Sequence, residues 1–119
     1  VTAPSNELPE LSDEDQKLVV LARGALARAE SSSAAAVRDA DGRTYAGAPV
    51  AADTLTLSGL QVAVASALSS GAQAFEAAVL VNGGPDDPGL ATLAEFGSQA
   101  YAVHTDLAGT PTARQEVGR

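Results

Sequence analysis

The chain has no cysteine, methionine or tryptophan, one histidine, His104, and one lysine, Lys17. Without cysteine there is no disulfide, no thiol catalysis and no thiolate metal site. With a single histidine, zinc would have to rest almost wholly on carboxylates, which is uncommon. Aromatic residues amount to 3%, namely Tyr45, Tyr101, Phe75 and Phe96, so the core must be built from Ala, Val and Leu. Small side chains bury little area each, at about 25 cal/mol per Å². A monomer of this kind is only modestly stable, and association is a natural remedy. Cationic side chains are also scarce, 7 Lys and Arg against 15 Asp and Glu, a net charge of -8. Nucleic acids and anionic membranes reward clustered cations, so neither is expected as a partner. No apolar run approaches the roughly 18 residues that span a bilayer. The opening Val-Thr-Ala-Pro-Ser-Asn-Glu lacks the basic-then-apolar order of a signal peptide, so the sequence reads as cytoplasmic.

What is present fits one domain, since 119 residues can bury one core but not two of ordinary size. Residues 1–11 are polar, carry two prolines and read as a flexible lead-in. Ser12 followed by Asp15 resembles a capping box and starts a helix over 13–30, with Leu18, Leu21, Ala22, Ala25, Leu26 and Ala29 on one face. Residues 34–38 and 43–50 flank Asp39-Ala40-Asp41-Gly42, the signature of a hairpin. A helix buried on most sides spans 58–69 and stops at Ser69-Ser70-Gly71. Phe75 to Val81 reads as a central strand, 88–97 as a helix opened by Asp87 and Pro88, and 100–104 as a last strand. The domain then covers 12–109, with 110–119 as a C-terminal tail. This order gives an α/β fold of three layers, α/β/α, around a mixed sheet of four to five strands. The helices at 58–69 and 88–97 lie on one face and that at 13–30 on the other.

Three places invite chemistry. The loop Asn82-Gly83-Gly84-Pro85-Asp86-Asp87 offers oxygens for a hard cation but lacks the ligand spacing of a calcium loop, and a turn with a helix cap explains it. His104 at a strand end has no second motif residue and reads as a surface or partner-contact side chain rather than a base. Ser31 to Ser33 and Ser58 stand in no Gly-x-Ser-x-Gly context, which argues against a serine hydrolase.

The stretch Asp41-Gly42-Arg43-Thr44-Tyr45-Ala46-Gly47 is similar to a DGxxYxG hairpin. With Ser58 to Gly71 and Pro85 to Phe96 it makes residues 14–109 resemble the small cytidine deaminases of nucleoside salvage, a group that includes blasticidin S deaminase-like proteins. In that family the buried helix opens with Cys-Ala-Glu. A second signature, Pro-Cys-Gly-x-Cys-Arg-Gln, precedes a helix carrying Glu-Phe or Glu-Leu. Matching these motifs sets Ser58 on the first zinc ligand, Leu60 on the proton-shuttling glutamate, and Asp86 and Gly89 on the two motif cysteines. Pro49 and Ala51 fall on the Asn-x-Glu that holds the ribose.

Deamination needs a zinc-activated water and a carboxylate to move its proton. The matched positions supply neither. The resemblance therefore implies a degenerate, non-catalytic member without zinc or other cofactor, serving as a homo-oligomeric interaction or regulatory module with an unknown protein partner. The alternative is a nucleoside deaminase-type hydrolase with an atypical or lost metal site. The family's homotetramers further imply a dimer or tetramer in which the helices at 58–69 meet, through Val62, Ala65 and Ser66.

Overall fold

The computed structural model describes residues 10–118, so most of the lead-in expected over 1–11 lies outside the described residues. Helix α1 (Asp13–Ala29) is capped by Ser12, whose Oγ accepts the Asp15 N–H at 3.1 Å, and it closes at Glu30 in the left-handed region, φ 50°. Strands β1 (Ala34–Asp39) and β2 (Thr44–Gly47) form the expected antiparallel hairpin. Its turn is held by Asp39, whose Oδ1 accepts the N–H groups of Asp41 and Arg43, while Gly42 supplies φ 86°.

The second hairpin strand was expected to run to residue 50, but β2 stops at Gly47 and the chain leaves the sheet. Pro49 has no N–H for a ladder, and Gly47 lies against the backbone of Gly59. A Cβ on Gly47 would stand 2.7 Å from the Gly59 oxygen. A small ribbon of β3 (Val50–Ala51) and β4 (Thr56–Leu57) follows.

Helix α2 (Gly59–Ser69) begins at a full capping box, with Ser58 and Gln61 each bonding the other's backbone, and ends before Gly71, φ 99°. Strand β5 (Phe75–Val81) pairs antiparallel with β1 and parallel with β6 (Tyr101–Thr105). A parallel pair needs a crossover, which α3 (Gly89–Glu95) provides. Within the expected C-terminal tail, Pro111–Glu116 form a strand, β7, antiparallel to β6. Alternation explains the strand, for Ala113, Gln115 and Val117 turn inward or are half-buried between polar neighbours, a period-two signal too short to weigh against the flanking Pro and Gly.

The sheet order is β2-β1-β5-β6-β7. Its two faces are covered unequally. Leu18, Val19 and Ala22 of α1 pack on Ala36, Ala77, Val79, Val81 and Val103. Leu60, Ala63, Val64 and Ala67 of α2 and Leu90 and Leu93 of α3 pack on Ala35, Val37, Ala78, Leu80 and Ala102. The three layers are those expected, but the buried stripe of α1 is rotated. It takes in Asp15 and Val19 and leaves Leu21 37% exposed.

Candidate functional site

The starts of α2 and α3 meet on the second face of the sheet, and there the matched positions Ser58, Leu60 and Gly89 come together. Ser58 Oγ accepts the Gln61 N–H at 3.0 Å and donates to Asp87 Oδ1 at 2.8 Å. The same Asp87 oxygen accepts the Gly89 N–H at 2.8 Å. Leu60 is 1% exposed within the apolar cluster. A Cβ on Gly89 would lie 2.7 Å from Leu60 Cγ and 3.0 Å from its Cβ. Hydrocarbon therefore fills the space in front of Gly89.

The remaining matched positions stand apart. Asp86 is exposed, with its carboxylate by Gly84 rather than between the helices. Pro49 and Ala51 are exposed in and before β3, where Ala51 pairs with Thr56. Asp87, read from the sequence only as a helix opener, turns out to bond both helix starts. The Asp-Pro pair signalled a cap, but nothing in the sequence signalled the long-range partner Ser58.

His104 corrects the surface reading, because it is 6% exposed and sits on β6 facing α2 and α3. Its Nε2 lies 2.8 Å from Gln115 Oε1, and Gln115 Nε2 donates to the Pro85 carbonyl at 3.4 Å. β7 thus reaches the loop ahead of α3. Of the serines at 31–33, Ser31 Oγ accepts the Ser33 N–H within a local turn, and the Ser32 carbonyl accepts from Asn82 across the fold. Among the described residues no group of three or more His, Asp and Glu side chains is placed to hold a metal ion.

A second polar centre, which sequence reasoning missed, lies under α1. Arg38 Nη1 donates to Asp15 Oδ1 at 3.1 Å, its Nε to Glu76 Oε1 at 2.6 Å and its Nη2 to Tyr101 Oη at 3.2 Å. The Tyr101 hydroxyl donates to Asp15 at 2.8 Å, and Arg114 stacks 3.9 Å above the Tyr101 ring. Burial works against the charged guanidinium, but the bonds from Glu76, Tyr101 and Asp15 more than offset it and hold the Arg38 pKa above its ordinary value. Burial and then the bond to Asp15 push the Tyr101 hydroxyl up. These bonds tie α1 to β1, β5 and β6.

The comparisons accord with this geometry. A crystal structure of cytidine deaminase from Burkholderia pseudomallei is similar at TM-score 0.72 and 21% identity, over 88% of this chain and 93% of that one. Cytidine deaminase from Mycobacterium leprae is similar at 0.67 and 21%, over 89% and 95%. That from Mycobacterium tuberculosis is similar at 0.65 and 24%, over 86% and 91%. No curated protein matches the sequence. The family profile described as cytidine deaminase-like matches residues 11–109, and the chain belongs to that family.

Proposed function

We propose that this chain is a non-catalytic member of its family that works as a homo-oligomeric interaction or regulatory module in the cytoplasm. The observation that carries the reading is Leu60 packed over Gly89. Hydrolytic deamination asks for a carboxylate and a metal at one place, and here an apolar side chain meets a residue with no side chain. Zinc takes thiolate, imidazole or carboxylate ligands at roughly 2.0–2.3 Å. The residues present do not fit it, since Ser58 Oγ is committed to Asp87, Gly89 has no donor and Asp86 faces outward. Pro49 and Ala51 likewise offer no side-chain hydrogen bond to a sugar.

Self-association is supported by α2, whose eleven residues carry no charge and whose outer side exposes Ala65 and Ser66 beside half-buried Val62 and Leu68. A shallow groove of about 210 Å³ runs there between Leu57, Gln61, Leu68 and Thr92. A chargeless helix face of small residues suits a symmetric contact better than it suits solvent.

The test is direct. Purified protein is assayed with cytidine, deoxycytidine and blasticidin S, and its zinc is measured. The expected result is no turnover above background and far less than one zinc per chain. Turnover by the unmodified protein defeats the reading in favour of a deaminase-type hydrolase with an atypical site.

A further inference from the structure

The geometry points to Asp87 as the residue that ties the starts of α2 and α3 together, the structural task a shared metal would perform at this place. The inference rests on the reading that no zinc is held there. The two helices are separated in the chain by β5, and Ser58 and Asp87 lie 29 positions apart. Their termini are joined by one unbroken relay. The Gln61 N–H donates to Ser58 Oγ at 3.0 Å, the Ser58 hydroxyl donates to Asp87 Oδ1 at 2.8 Å, and the Gly89 N–H donates to that same oxygen at 2.8 Å. Ser58 uses its donor and its acceptor at once, so each bond polarises the next. A carboxylate receiving two donors makes stronger bonds than a neutral acceptor does.

An apolar plug completes the tie. Leu60 Cγ comes within 2.7 Å of where a Gly89 Cβ would stand, so a side chain at 89 and a leucine at 60 exclude one another. A carboxylate at 60 would enter the cluster of Val64, Leu90 and Leu93 without a partner. The two positions are therefore locked together. Gly89→Cys alone must force Leu60 aside, and Leu60→Glu alone buries an unpaired carboxylate.

Thermal unfolding of the full chain and of Ser58→Ala, Asp87→Ala and the double variant tests the tie. Ser58→Ala also removes a cap on α2, and Asp87→Ala one on α3. Those losses add, whereas the shared bond is lost only once. Each single variant is expected to lower the midpoint by roughly 4–10 °C, and the double variant to fall short of the sum by roughly 3 °C or more. Neither EDTA nor zinc chloride should move the midpoint of the unmodified protein. Strict additivity, or a midpoint that drops with EDTA, overturns the inference. If Asp87→Ala does not fold, the cycle with Asp87→Asn, which keeps an acceptor oxygen and removes the charge, should show a smaller shortfall of the same sign, and strict additivity there overturns the inference as well. Deamination by the unmodified protein would strike the non-catalytic reading alone, and additivity would strike the tie alone.

Discussion

Arg38 shows how much a single side chain decides here. It lies on a strand buried along its whole length, with its side chain 9% exposed, and it reaches Asp15, Glu76 and Tyr101. Removing one member of a buried pair leaves its partner without compensation, which costs about 3–5 kcal/mol, while replacing both with apolar groups is often neutral. Arg38→Met should therefore destabilise by about 3 kcal/mol, and Arg38→Met with Asp15→Leu should recover most of that loss, as read from urea unfolding. Tyr101 adds a dependence on pH. Its hydroxyl pKa is raised in the folded chain, so the folded state holds the proton more tightly than the unfolded one. The stability it contributes is whole below the unfolded value of about 10 and is lost as pH rises through the folded value. Unfolding midpoints between pH 8 and 11 should fall more steeply for the natural chain than for Tyr101→Phe. Equal slopes would mean that the hydroxyl titrates alike in both states.

At the scale of elements, the close approach of β2 to α2 and the placing of β7 are the decisive features. The backbones of Gly47 and Gly59 touch, and a Cβ on Gly59 would stand 2.8 Å from the Gly47 oxygen. Gly59→Ala must push helix and strand apart and should cost about 1–3 kcal/mol despite alanine's better helix propensity. A gain in stability would show that the contact is slack. β7 covers the edge of β6, buries Gln115 and leads into buried Val117, and gives His104 Nε2 its partner. Truncation after Ala108 would be harmless if the segment were a tail. With β7 in the sheet, it should lower the thermal midpoint by more than roughly 10 °C or leave the chain insoluble.

The molecule as a whole has little large apolar surface to spend on its core. Alanines at 22, 25, 34, 35, 36, 63, 67, 72, 77, 78, 100 and 102 are buried, and leucines at 18, 60, 80, 90 and 93 are its largest fully enclosed apolar side chains. The uncharged outer side of α2 remains in contact with solvent. Association through it hides apolar area at the cost of bringing together chains of net charge -8, a repulsion screened within about 10 Å at ordinary salt. Sedimentation equilibrium at about 50 µM protein should give a dimer or tetramer of the 11.8 kDa chain. Val62→Glu with Ala65→Glu should return it to a single chain. A monomer for the natural sequence would remove the interface from the proposed function.

Local pattern and missing residue types were enough to determine the three helices, the β1–β2 hairpin, the two central strands and the lack of thiolates. Each of these depends on neighbours within a few positions, or on composition alone, and so does the assignment of Leu60 and Gly89 to the helix starts. Tertiary structure alone decided the rest. Asp15 looked like half of a capping box and instead turned beneath α1 to meet Arg38, because a buried guanidinium 23 positions away needed a counter-charge. β7 became a strand because β6 presented an open edge, and His104 went inside with it. Asp87 looked like an ordinary cap until folding set Ser58 beside it. Pairings of this kind are chosen by distance in space, and a sequence read along its length does not contain that distance.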